Sequence, residues 1–155
     1  MTLLKPFLVI VKSLLFYIFD SLALFNATSP QKNKFELVLL VRQDAIGDFI
    51  MWLDTAKEYR LLFPAKKYKI LLVGNSSWCD LADELPYWDQ VLPINSKKFK
   101  SLTGYRWALL REIKNLSASI SVQPTYSREF YHGDTIIRAS TALRKVGSVG
   151  DMSNL

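Results

Sequence analysis

Cysteine and histidine each occur once in this 155-residue chain, as Cys79 and His132. That scarcity excludes an internal disulfide, a zinc cluster and a histidine-based metal centre, and no metal or cofactor is expected. Cys79 reads as a small, partly buried side chain, which fits a reducing compartment. Glycine is also sparse, at six residues, and none stands in a Gly-x-Gly-x-x-Gly dinucleotide fingerprint. There is no internal repeat or low-complexity tract. Nor is there an unbroken apolar run of about 20 residues of the kind a simple transmembrane helix needs, because Lys5, Lys12 and Asp20 interrupt residues 3–25. Asp20 inside that stretch, with no small-x-small site after it, also argues against a cleaved signal peptide. Acidic residues are the minority: 14 against 20 Lys and Arg give a net charge of +6. This permits anionic partners such as lipid headgroups or phosphorylated glycolipids. Nucleic acid is not expected, since the aromatics fall mostly on core stripes and no binding motif is present.

What is there begins with residues 1–26. On a helix, Lys5, Lys12, Ser13 and Asp20 gather on one side, while Leu8, Val11, Leu15, Ile18, Leu22 and Phe25 occupy much of the rest. The pattern predicts an amphipathic helix lying in a membrane interface, with its basic residues facing anionic headgroups. The alternative is a helix packed on its own domain or on a partner. Residues 27–34, polar and containing Pro30, read as a linker, and residues 35–155 as a single α/β domain.

That domain is organised around Val41-Arg42-Gln43-Asp44-Ala45-Ile46-Gly47-Asp48. The run 37–41 predicts a buried strand, Gly47 a tight turn, and Phe49, Trp52, Leu53, Ala56, Tyr59 and Phe63 one following helix. Strands are then expected at 68–74, 90–94, 118–122 and from 146, alternating with helices near 78–85, 102–116 and from Asp134 to Leu143. Alternation of this kind predicts a parallel sheet flanked by helices, with loops at the carboxyl ends of the strands available for a ligand. The loops at 42–48 and 123–128 converge on one such edge.

The motif Arg42-x-Asp44-x-Ile46-Gly47-Asp48 resembles the opening motif of glycosyltransferase family 9, the lipopolysaccharide heptosyltransferases. Tyr68-Lys69-Ile70-Leu71-Leu72-Val73-Gly74, Trp88-Asp89-Gln90-Val91-Leu92-Pro93, Tyr126-Ser127-Arg128 and His132-Gly133-Asp134 follow in the family's order. The resemblance implies a Rossmann-like domain from the acceptor side of a two-domain GT-B enzyme, here truncated to about its first half. It implies Asp48 as catalytic base, with Arg128, Ser127 and Arg42 binding the acceptor. A nucleotide-sugar, expected to be ADP-heptose, would be the donor. A lipopolysaccharide core or related glycolipid would be the acceptor, and the protein would work at the cytoplasmic face of a bacterial inner membrane.

Each residue also has a plainer reading. Asp48 could cap its helix, Asp44 could serve the turn, and Arg42 could pair with a nearby acid. His132 is expected to be structural and hydrogen-bonded. At the level of the chain, the other reading is a non-catalytic Rossmann-like binding or interaction module without a donor site.

Overall fold

The computed structural model describes residues 4–25 and 35–150, with side chains from Leu8 onward; the linker expected at 27–34 and the ending at 151–155 lie outside the described residues. Four consecutive buried residues, Val38, Leu39, Leu40 and Val41, make β1 (Glu36–Arg42) a strand covered on both faces. Ile70, Leu71, Leu72 and Val73 do the same for β2 (Tyr68–Asn75). With β3 (Gln90–Ile94), β4 (Ile120–Gln123) and β5 (Arg144–Gly147) they form a five-stranded, all-parallel sheet in the order β3-β2-β1-β4-β5. Leu40 pairs with Leu72 on one side and Val122 on the other, which places β1 at the centre. The edges take what a central strand could not: Pro93 lies in β3, and β5 is short and exposed throughout.

Helices cover both faces, giving a Rossmann-like α/β architecture. On one face α2 (Ile46–Ala56), α3 (Glu58–Leu62) and α4 (Cys79–Asp83) bury Phe49, Trp52, Trp78 and Trp88 against Val38, Leu40, Ile70 and Leu72. Gly74 is required here, since a Cβ would lie 2.6 Å from the Trp78 ring. On the other face α1 (Leu4–Phe25), α5 (Ser96–Phe99), α6 (Gly104–Asn115) and α7 (Gly133–Ala139) pack Phe99, Leu110, Ile113 and Ile136 against Leu39, Val41, Leu71 and Val73.

Several helices differ from the pattern in the sequence. The helix expected through Phe63 breaks at Lys57, where Arg60 N–H bonds the Lys57 carbonyl, and the break lets the Arg60 guanidinium reach Asp89 at 2.8 Å. Leu102 is exposed ahead of α6, because the short α5, capped by the Asn95 side chain, precedes it. The last helix stops at Ala139 rather than Leu143, with Thr141 in the left-handed region at φ 53°. Asp134 does not cap it; its carboxylate is paired with Arg128.

The largest difference is the orientation of α1, which turns Asp20 and Ser13 of its polar stripe toward the domain while Lys12 stays exposed. Asp20 is 2% exposed and accepts from Arg106 Nε at 2.6 Å and Nη2 at 2.7 Å, while Arg106 itself is fully buried. Ser13 Oγ lies 2.6 Å from the Tyr131 hydroxyl, and Phe16 and Ala23 complete the buried seam. The helix therefore packs on its own domain, and Asp20 and Ser13 do not face headgroups or water. Removing Arg106 leaves Asp20 buried with only Arg138 Nη2, at 3.3 Å, as a charged partner, so Arg106→Met should cost about 3 kcal/mol. The double variant Asp20→Leu/Arg106→Met should recover much of that loss. Urea unfolding measures both, and a single-variant cost below about 1 kcal/mol would show that the pair is not buried in solution.

Candidate functional site

The sheet order places a crevice between β1 and β4. The chain leaving β1 turns to the α2 face and the chain leaving β4 to the α7 face, so their loops diverge at the carboxyl edge; such switch points are where open α/β sheets take ligands. A cavity of about 360 Å³ occupies this position. Gln43, Asp44 and Asp48 line it from the β1 side, and Gln123, Thr125 and Ser127 from the β4 side. Asn75, at the end of β2, forms a third wall, and Lys100, Glu129 and His132 close the far side.

The β1 loop is held on several sides. Trp78 Nε1 donates to the Asp44 carbonyl at 2.9 Å, and the Trp78 ring stacks on Phe49 with centroids 4.0 Å apart. Gln43 Nε2 donates to the Val73 carbonyl at 3.0 Å, while its Oε1 is buried without a hydrogen-bond partner among the described residues. Arg42 lies over Trp52, pairs with the Asp44 carboxylate at 3.1 Å and donates to the Asp48 carbonyl at 3.1 Å. Its guanidinium thus braces the loop to the start of α2, which is the ion-pairing alternative for this residue.

The electrostatics are uneven. Asp48 is exposed in the first turn of α2, and no hydrogen bond or ion pair among the described residues holds its carboxylate. Ala45, not Asp48, occupies the N-cap position, so the capping alternative for Asp48 does not apply. Burial pushes the Asp44 carboxyl above its ordinary pKa, and the nearby Asp48 charge adds to this against the opposing pull of Arg42. Lys100 is paired with Glu129 at 2.8 Å. Burial, with the Lys100 charge, lowers His132 to about 4, which keeps the imidazole neutral at pH 7. Three carboxylates thus face one ammonium that is already paired. The lining suits hydroxyl groups and disfavours phosphate.

Of the residues expected at an acceptor site, Asp48 and Ser127 share this cavity. Arg128 does not lie beside Asp48. It lines an adjoining cavity of about 390 Å³, donates to both Asp134 carboxylate oxygens at 2.9 Å, and reaches the Ser148 carbonyl at 2.9 Å. Gly47 differs too: it lies inside α2 rather than in a turn, and a Cβ there would meet nothing within 4 Å. The motif reading overlooked Gln43, Asn75 and Thr125 as walls. The signal for them was positional, since each is polar and lies at or just beyond the carboxyl end of a strand.

His132 also differs from expectation. Its Nε2 is buried without a partner among the described residues, and Nδ1 is 3.9 Å from Glu129, too far for a hydrogen bond. A histidine whose folded pKa is depressed takes up its proton first in the unfolded chain. Stability should therefore be complete above about pH 6.5 and fall as pH drops toward 4, by up to about 3 kcal/mol. His132→Gln should remove that part of the acid dependence while leaving the carboxylate part. Because the chain has one histidine, its imidazole NMR titration is unambiguous, and a midpoint near 6.5 would place the ring in water.

No protein-family profile matches the chain. No curated protein matches it at a significant level. Among solved structures, it is similar to the crystal structure of the glycosyl transferase family 9 protein from Veillonella parvula DSM 2008, with a TM-score of 0.52 at 10% identity. The match covers 77% of this chain and 34% of that one, so the chain spans about a third of the solved structure's length. At that identity the common property is the fold, the Rossmann-like parallel sheet flanked by helices described above.

Proposed function

We propose that this chain is the acceptor side of an inverting glycosyltransferase of heptosyltransferase type. It would pass a sugar from a nucleotide-sugar, with ADP-heptose the first donor to try, to a lipopolysaccharide-like acceptor at the cytoplasmic face of a bacterial inner membrane. The observation that carries the reading is Asp48: a carboxylate with no hydrogen bond among the described residues, on the wall of a polar cavity at the sheet's switch point. The likeness in fold to a family 9 structure supports it.

In this reading an acceptor hydroxyl enters the cavity and hydrogen-bonds to Asp48. Gln43 Oε1, Asn75, Thr125 and Ser127 have the donor and acceptor groups to orient the neighbouring hydroxyls. As the hydroxyl oxygen attacks the anomeric carbon, its proton passes to Asp48, and the bond to the diphosphate breaks on the opposite side of that carbon. The leaving diphosphate needs cations, and the one ammonium of the lining, Lys100, is already paired with Glu129, so in this reading the donor's phosphates belong to a further unit. Exposed Ile46, Ile50 and Met51, on the same helix as Asp48, give such a unit an apolar surface to meet.

A second reading, a binding module that does not itself transfer sugar, is favoured by one observation: the single ammonium in the cavity lining, that of Lys100, is already paired with Glu129. A transfer assay separates the two, using the chain alone and within its full reading frame, with a nucleotide-sugar panel and deacylated lipopolysaccharide core. Transfer by the longer protein supports the first reading; acceptor binding without transfer by either supports the second.

Two variants examine the site. Asp48→Asn should lower kcat by about 10²- to 10⁴-fold with an unchanged melting curve, and normal turnover would remove Asp48 from the chemistry. Gly47→Ala should leave stability equal or about 0.5 kcal/mol higher, since the space is open and alanine is the better helix former. The same change should raise the acceptor KM, because it places a methyl group at the helix start beside Asp48. An unchanged KM would mean the acceptor does not approach that backbone.

A further inference from the structure

The α1 helix is reversed relative to an ordinary surface helix. Asp20 of its polar stripe is buried in the domain and Ser13 meets Tyr131, while Leu8, Ile10, Leu14, Leu15, Ile18 and Leu22 are roughly half exposed or more. Phe25 is 84% exposed at its end. An apolar face of this extent on a soluble surface calls for a covering partner.

The charges bordering the face identify the partner. Lys12 is exposed on α1 itself, with its ammonium 5.1 Å from the Tyr131 ring centroid. Arg138 lies 5.5 Å from the Tyr17 ring, and Lys114 donates to the Leu24 carbonyl. The one carboxylate on the described part of α1, Asp20, is buried and bonded to both Arg106 and Arg138. An apolar face with cations along its border and no exposed carboxylate of its own is complementary to anionic headgroups over an acyl layer.

We propose that α1 docks the domain onto an anionic lipid bilayer, lying in the plane of the interface and remaining packed on α6 and α7. By length and composition, Leu8–Phe25 could cross a membrane. Its contacts oppose that arrangement. Ser13, Phe16, Phe19, Asp20 and Leu24 touch Tyr131, Trp107, Arg106 and Lys114 over three turns, so a spanning α1 would have to leave the domain. It would then carry Asp20 unpaired into hydrocarbon and leave Arg106 without its carboxylate.

The seam that holds α1 on the domain borders the loop that forms one wall of the cavity. Tyr131 meets α1 through Ser13 and Phe16, while its chain neighbours Glu129 and His132 line the cavity wall. A bilayer against α1 therefore brings the cavity close to membrane-borne molecules. The docking itself does not depend on the transfer reading.

The test is flotation of the full chain with vesicles of phosphatidylcholine containing 30% phosphatidylglycerol, against phosphatidylcholine alone. Binding should favour the anionic vesicles and weaken with salt. Leu15→Glu/Leu22→Glu should reduce it about tenfold or more with no change in melting, since both side chains are exposed. Spin labels on Leu14→Cys, Ile18→Cys and Leu22→Cys should report similar depths. Cys79 does not compete for label, because it is buried and its thiol is pushed up to about 12, first by burial. Depth that changes steadily across the bilayer would overturn the in-plane arrangement in favour of a span. Lipid-independent dimers dispersed by the double variant, with no vesicle binding, would overturn it in favour of a second copy of the chain.

Discussion

One buried cation ties together half of this fold. Arg106 bonds Asp20 of α1 through two nitrogens, the Phe99 and Tyr131 carbonyls through Nη1 at 2.8 and 2.9 Å, and Thr135 of α7 through Nη2 at 3.2 Å. Its guanidinium carbon lies 4.8 Å from the Phe16 ring centroid and 4.5 Å from that of Phe99. Removing such a charge from water costs several kcal/mol, and mutual attraction alone rarely returns much more than that. What the network supplies is orientation. A helix as apolar as α1 could bury any of several faces, and only one of them brings Asp20 to Arg106. The apolar surface left outside follows from that choice.

The opposite face of the sheet relies on aromatics and a smaller ionic clip. Phe49, Trp52, Trp78 and Trp88 pack as a cluster, with Trp52 and Trp88 nearly parallel at 6.3 Å. Asp89 joins α3, β2 and the start of β3. Burial acts to raise its pKa, but hydrogen bonds from Lys69, the Ile70 N–H and Arg60 prevail and hold it at about 2. The cavity is thus suspended between two layers that are separately fixed. Its β1 wall is anchored through Trp78 and Arg42, and its far wall through the loop that Arg106 grips at Tyr131. Neither wall depends on the flexible end of a long loop, as suits a site that must hold hydroxyls in a defined geometry.

How much of this the sequence revealed depends on the range of the interaction. The buried runs 38–41 and 70–73 announce β1 and β2 because a parallel central strand is covered on both faces, and the strand expected at 90–94 coincides with β3. The carboxyl-edge placement of Asp48 and Ser127 followed from the same alternation. The Arg106–Asp20 pair did not, since 86 residues separate its members and neither position breaks its own helical pattern. Arg106 reads as an ordinary polar position on α6, and Asp20 as one member of the polar stripe of α1. The Arg128–Asp134 pair was hidden for a related reason: the sequence places the loop at the carboxyl edge, but the partner its guanidinium takes is set by how that loop meets the start of α7. Gly47 looked like a turn residue because a glycine after a strand usually is one.

The distribution of charge links the cavity to the α1 face. The chain carries +6 overall, yet the cavity holds three carboxylates and one paired ammonium. Positive charge collects instead along α1, at Lys12, Arg138 and Lys114. A free phosphate would therefore be repelled by the cavity and attracted to the helix flank. A molecule that presents a neutral hydroxyl to Asp48 and keeps its anionic groups at the flank satisfies both surfaces at once. Saccharides joined to anionic membrane lipids have that polarity, with a sugar at one end and charge near the bilayer. Tyr131, packed on the inner side of α1, is the chain neighbour of His132 on the cavity wall, so little more than the width of that helix, about 10 Å, separates the two surfaces.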